Sequence, residues 1–151
     1  DGSGIEQRRA YSFTSAGGES DRIELHVRRI PGGQFTTRVF ETMRVGDPIE
    51  IEGPIGSFVL HEPDDRPVIF VAGATGAAPV KSLLEEAFRM RLAKPLHFYW
   101  GVRTPQDFYL SDLLERWAAA RASGTWAPEV PSLLTSRLKA GLARVNALWR
   151  T

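Results

Sequence analysis

The stretch from residue 68 to residue 79 constrains this chain most. Val68-Ile69-Phe70-Val71-Ala72 is continuously apolar, the pattern of a parallel strand covered on both faces, and Gly73-Ala74-Thr75-Gly76 turns it directly into Ala77-Ala78-Pro79. Val80, Leu83, Leu84, Ala87 and Phe88 then mark one face of a helix, and Pro79 sits where the first amides lack partners anyway. Residues 96–100 read as a second buried strand. Thr104-Pro105-Gln106-Asp107 reads as a helix start, with a hydroxyl cap, a proline in the first turn and an acid near the positive end of the dipole, and Leu110, Leu113, Leu114 and Trp117 carry it forward. Strand, loop, helix, strand, helix predicts an α/β unit.

A glycine loop between a buried strand and a helix lets a diphosphate approach the backbone, where the helix N-terminus supplies oriented N–H groups. A tight turn that binds nothing fits the same pattern. Two named nucleotide motifs nearly match and fail: G-x-G-x-x-G needs glycine at Thr75, and the P-loop needs glycine at Val80 before Lys81-Ser82. An NTPase using Lys81-Ser82 therefore ranks last.

Upstream the period changes. Residues 23–27, Ile-Glu-Leu-His-Val, alternate as a strand with one wet face does, and residues 36–44 read as a short helix between Gly32-Gly33 and Gly46-Asp47. Ile49 and Ile51 alternate with Glu50 and Glu52, and a glycine-rich corner leads to Ser57-Phe58-Val59-Leu60, a two-strand signature. Pro63-Asp64-Asp65-Arg66-Pro67 is the best domain boundary. The expectation is a β-rich first half and an α/β second half.

Composition excludes several functions. With 19 basic and 18 acidic side chains, no overall field favours nucleic acid or an anionic membrane. The absence of cysteine removes disulfides, thiolate zinc sites, a cysteine nucleophile and cysteine-ligated clusters from this chain, and fits a cytoplasmic protein. No run of about 18 apolar residues suggests a membrane span. His26, His61 and His97 lack ligand spacing, so metal binding is not expected. Asp64-Asp65 and Glu85-Glu86 are adjacent pairs whose side chains point apart, read as solvated surface.

The loop Gly73-Ala74-Thr75-Gly76-Ala77-Ala78-Pro79 resembles the pyridine-nucleotide loop of the ferredoxin-NADP reductase superfamily, usually G-G-T-G-x-A-P there. Four further segments resemble the same family, in family order. Arg9-Ala10-Tyr11-Ser12 is similar to its R-x-Y-S/T flavin signature. Leu25-His26-Val27-Arg28-Arg29 with Gly33-Gln34-Phe35-Thr36 resembles its L-H-V-R-R strand and G-x-x-S/T helix start. Gly53-Pro54-Ile55-Gly56-Ser57-Phe58 resembles its G-P-x-G-x-F turn, and Gly101-Val102-Arg103-Thr104-Pro105 its G-x-R-x-x segment. The wording is closest to CDP-deoxyglucoseen reductase and the reductase components of oxygenases.

The resemblance implies an α+β then α/β chain: residues 1–63 a partial FAD-binding antiparallel β-barrel, residues 64–124 a partial NAD(P)-binding parallel-sheet domain. It implies FAD and either NADH or NADPH as cofactors, and an iron-sulfur protein or domain as electron acceptor, with no nucleic acid or membrane partner. Arg9, Tyr11, Ser12, His26, Arg28, Gly33, Phe35 and Thr36 would hold FAD, and Gly73, Thr75, Gly76, Pro79 and Arg103 the nicotinamide nucleotide. Tyr11 and Ser12 would stand at the reacting ring as the catalytic-side residues, one by stacking and one by hydrogen bonding.

The family has barrel strands before the R-x-Y-S step and further segments after its second nucleotide-domain helix, so the chain reads as a fragment, with a non-catalytic piece that binds nucleotide weakly or not at all as the rival reading. Residues 125–151 match no part of the family pattern. Leu134, Leu138, Leu142, Val145 and Trp149 recur at helical spacing there, predicting a basic helical tail.

Overall fold

The computed structural model describes residues 7–17, 22–61 and 65–124, and the backbone of residues 142–148. Its second half is organised around a parallel pair, β2 (Val68–Gly73) and β3 (Leu96–Gly101), joined by helix α2 (Ala77–Arg89) and followed by helix α3 (Ser111–Ala122). The order predicted from the apolar runs is the order found. Val80, Leu84, Ala87 and Phe88 recur three or four residues apart and turn one face of α2 inward onto Phe70. Leu110, Leu113 and Trp117 of the α3 region close the same cluster, with the Phe88 and Trp117 rings edge to face at 5.2 Å. Each fully buried side chain of this size contributes roughly 1.5–3 kcal/mol.

The expectation that β2 is covered on both faces is corrected. Ile69 and Val71 are 63% and 76% exposed, and Tyr99 on β3 is 61% exposed. Both α2 and α3 pack on the Phe70 side, because their apolar stripes share one cluster.

The Thr104 start is also refined. Thr104 and Asp107 form a capping box, but they cap only the single 3₁₀ turn Pro105–Asp107. Phe108 leaves the helical region, and its ring and that of Tyr109 stand edge-on to Trp100 at 5.1 and 5.2 Å. Two aromatic contacts of about 0.5–1.5 kcal/mol each outweigh continuing the helix through those residues. It restarts at Ser111.

In the first half, β1 (Arg22–Arg28) pairs antiparallel with β4 (Leu142–Leu148) and forms a single bridge from Leu25 to Phe13. The helical tail expected at Leu142 and Val145 is therefore corrected, since that segment is a strand. An extended chain satisfies the row of backbone groups along an otherwise open edge of β1, which a helix cannot do. Leu134, Leu138 and Trp149 lie outside the described residues.

The helix expected over residues 36–44 is shorter and looser: α1 (Gln34–Thr37) runs into a π turn, Arg38–Thr42, which the Arg44 guanidinium ends by donating to the carbonyls of Glu41, Thr42 and Met43. The two strands expected in residues 49–60 are not formed. No described segment offers that stretch a hydrogen-bonding ladder, and Ile55, Phe58 and Val59 are exposed there. Among the described residues no helix is long and apolar enough to cross a membrane.

Candidate functional site

The carboxyl edge of the parallel pair ends in two glycines, Gly73 and Gly101, which are register partners. Gly73 has φ −115° and a Cβ added to it would meet nothing within 4 Å. At Gly101 the nearest atom would be the Ala72 carbonyl oxygen at 3.9 Å, and at Gly76 the Ala72 Cβ at 3.7 Å, both ordinary contacts. None of the three has a positive φ. The protein's own packing does not demand glycine at any of them, although each costs about 0.5–1 kcal/mol relative to alanine in regular structure. Their common effect is a bare backbone surface at the end of a parallel sheet, where open α/β sheets bind nucleotides.

The loop between them is held from the other side. The Trp100 indole N–H donates to the Ala74 carbonyl at 2.8 Å. Ala74 itself has φ +46°, the left-handed region that costs a residue with a Cβ about 1–2 kcal/mol. It stands where the family pattern has its second glycine. No side chain caps α2 at Gly76, and the hydroxyl of Thr75 makes no hydrogen bond to a described residue. Pro79, at the third position of α2, fits a first turn without loss. Arg103 lies exposed two residues beyond Gly101 and pairs with no acid among the described residues.

The segments expected to hold the flavin also meet. The Tyr11 and Phe35 rings are 5.7 Å apart, and the Gln7 side-chain amide donates to Gln34 Oε1 at 3.1 Å, so residues 7–11 run along the start of α1. Burial pushes the Tyr11 phenol up from its ordinary range, against the opposing pull of Arg9. Among the described residues the hydroxyls of Tyr11 and Ser12 have no partner, and the Arg9 guanidinium reaches only the Arg8 carbonyl. β1 lies against the turn at Ala74–Gly76, so the strand that follows the Tyr11 segment contacts the glycine loop.

Three expected ligand residues are engaged elsewhere. The buried Thr36 hydroxyl accepts from the Ile30 amide at 3.2 Å and lies 3.1 Å from the Gly33 carbonyl, so it builds the turn. A Cβ on Gly33 would come within 2.7 Å of the Thr36 hydroxyl oxygen, which is why glycine is required there. His26 has a fully buried side chain, with Nε2 donating to Glu24 Oε1 at 2.8 Å and Nδ1 3.0 Å from the Tyr109 hydroxyl. Arg28 lies 3.7 Å from Asp107 and remains half exposed.

The wet face expected on β1 is therefore corrected: Glu24 and His26 are turned into a polar interface with the second half. Glu85, read as solvated, is corrected too. It accepts from Lys81 Nζ at 2.6 Å with a side chain only 12% exposed. Lys81, 2% exposed, also donates to Glu24 Oε2 at 3.3 Å and the Thr14 carbonyl at 3.2 Å, and Ser82 Oγ donates to the Ser15 carbonyl at 2.8 Å. Neither Lys81 nor Ser82 can serve a triphosphate, which removes the NTPase reading. The signals that could have revealed this network were a lysine and a glutamate four apart on α2, and two titratable residues on alternate positions of β1.

Residues 2–60 match the oxidoreductase FAD-binding domain and residues 70–137 the oxidoreductase NAD-binding domain. Reductase component 1 of terephthalate 1,2-dioxygenase from Comamonas sp is 41% identical over 111 residues, 74% of this chain and 33% of that protein. The CDP-6-deoxy-L-threo-D-glycero-4-hexulose-3-dehydrase reductase of Yersinia pestis is 39% identical over 124 residues, 82% of this chain and 37% of that one. The crystal structure of the Amycolatopsis cytochrome P450 reductase GcoB superposes with a TM-score of 0.68 at 35% identity, covering 83% of this chain and 38% of that one. The chain spans about a third of the length of the curated relatives it matches.

Proposed function

The chain belongs to the oxidoreductases that join an FAD-binding to an NAD-binding domain, whose cofactors are FAD and a nicotinamide nucleotide, and on that premise we propose that it passes electrons from NAD(P)H through FAD to a protein redox partner. An iron-sulfur protein or domain is the partner class proposed. A flavin supplies the change from two-electron to one-electron chemistry, and the protein supplies binding and orientation. Arg9, Tyr11 and Ser12, beside the start of α1 at Gly33 and Phe35, are proposed to hold FAD, with Tyr11 against the ring and Ser12 at its polar edge. Gly73, Thr75, Gly76 and Pro79 are proposed to hold the nicotinamide nucleotide diphosphate, with Arg103 reaching a ribose or phosphate. The domain division proposed is residues 1–63 and 64–124.

The observation that carries this reading is the bare glycine edge, Gly73 beside Gly101, which the fold does not need for itself. Gly73→Val tests it. An extended residue with open space should accept valine with stability unchanged within about 0.5 kcal/mol, while the dissociation constant for NADH rises at least about tenfold, or about 1.4 kcal/mol. Calorimetric titration of the FAD-loaded protein measures both constants. Equal affinity in the two proteins, or no uptake of FAD by either, would overturn the proposal.

A further inference from the structure

Lys81 is the one lysine on α2, and its ammonium group is buried where the two halves meet. Its three acceptors come from three places: Glu85 on its own helix, Glu24 on β1, and the backbone carbonyl of Thr14, two residues after Ser12. The same helix holds the next residues of that segment. Ser82 donates to the Ser15 carbonyl and Glu85 Oε2 accepts from the Ala16 amide at 3.1 Å. From Glu24 the contacts continue through His26 and Tyr109 to Trp100, which holds the Ala74 carbonyl.

We infer that Lys81 is a positioning residue: it clamps the backbone after Tyr11-Ser12 onto the helix that begins at the Gly73 loop, and so sets the distance between the two cofactors. The inference rests on the proposed function for what is positioned. The clamp itself rests on the buried ammonium and its acceptors. A buried lysine whose acceptors belong to three separate segments fixes all three, because moving any one leaves a charge without its compensation. Cofactor alignment is steep in distance, since a displacement of about 1 Å can lower a rate about a hundredfold. None of the clamp's members is among the residues assigned to either cofactor, so loosening it should leave binding intact and slow the transfer between them.

The test is Lys81→Met, which keeps the aliphatic stem and removes the charge. Amide hydrogen exchange on the whole chain should become at least tenfold faster at Thr14 and Ala16, with the amides of β2, β3 and the Phe88 turn of α2 unchanged. In the FAD-loaded protein, bleaching by NADH at saturation should slow at least tenfold, with the NADH dissociation constant within twofold of wild type. Lys81→Arg should restore part of both effects. If Lys81→Met loses protection everywhere, the variant Lys81→Met with Glu24→Gln and Glu85→Gln, which leaves no uncompensated carboxylate at the clamp, decides the matter. That variant must loosen Thr14 and Ala16 while keeping the core, or the clamp is wrong. Unchanged exchange at Thr14 and Ala16 in Lys81→Met also overturns it. A wild-type protein that takes up no FAD defeats the proposed function alone, because the exchange measurement still decides the clamp.

Discussion

The two halves of this chain are held together by different forces. Every buried member of the apolar cluster, from Phe70 to Trp117, lies in the second half, whereas among the described residues of the first half Val27 is the one buried large hydrophobe. Val45, Ile49, Ile55, Phe58 and Val59 are exposed there. What fixes the first half is polar: the Gly33-Thr36 turn, the Arg44 cap, and the Lys81 contacts reaching across from α2. The buried core of the second half is made from residues 70–117 alone, while the first half depends on partners 57 to 69 residues away, such as Glu24 with Lys81 and Ala16 with Glu85.

That contrast can be broken at three points. Trp117→Ala removes the largest ring of the shared cluster, and should cost about 3–5 kcal/mol; urea unfolding followed by the far-ultraviolet helix signal should show the second half lost first. A uniform transition with an unchanged midpoint would mean that the halves are not built as described. Gly33→Ala forces a Cβ against Thr36 Oγ1 and the Ile30 carbonyl, so about 1–3 kcal/mol of overpacking should appear in the first half. Exchange at the Thr36 and Thr37 amides should rise while the β2 amides keep their protection. Ala74→Gly relieves the left-handed backbone at φ +46°, and should raise the melting midpoint by an amount worth about 0.5–1 kcal/mol. A drop in the midpoint would mean that Trp100, not the backbone, dominates at that loop.

The second half was legible in the sequence because its signals are short-range. A continuous apolar run, a glycine turn and a helical stripe each report on neighbours within a dozen residues, and β2, α2 and β3 appear where those patterns put them. The glycine loop was legible for the same reason. The polar interface was not, since Glu24 and His26 alternate with apolar residues just as a water-facing row would, and nothing local distinguishes water from a buried lysine. Glu85 looks solvated on the same ground. Residues 49–60 have strand composition but no described partner, and composition cannot supply one. The segment at 142–148 shows the reverse: helical spacing there yields to an available strand edge.

The three glycines at the sheet end carry one further consequence. Because a Cβ at Gly73 would meet nothing within 4 Å, replacement by alanine there would meet no steric resistance from the fold. Only a working ligand can keep such positions from drifting. In any lineage where that ligand ceased to matter, the protein could go on accumulating in the cell, well formed and silent, long after its chemistry had gone.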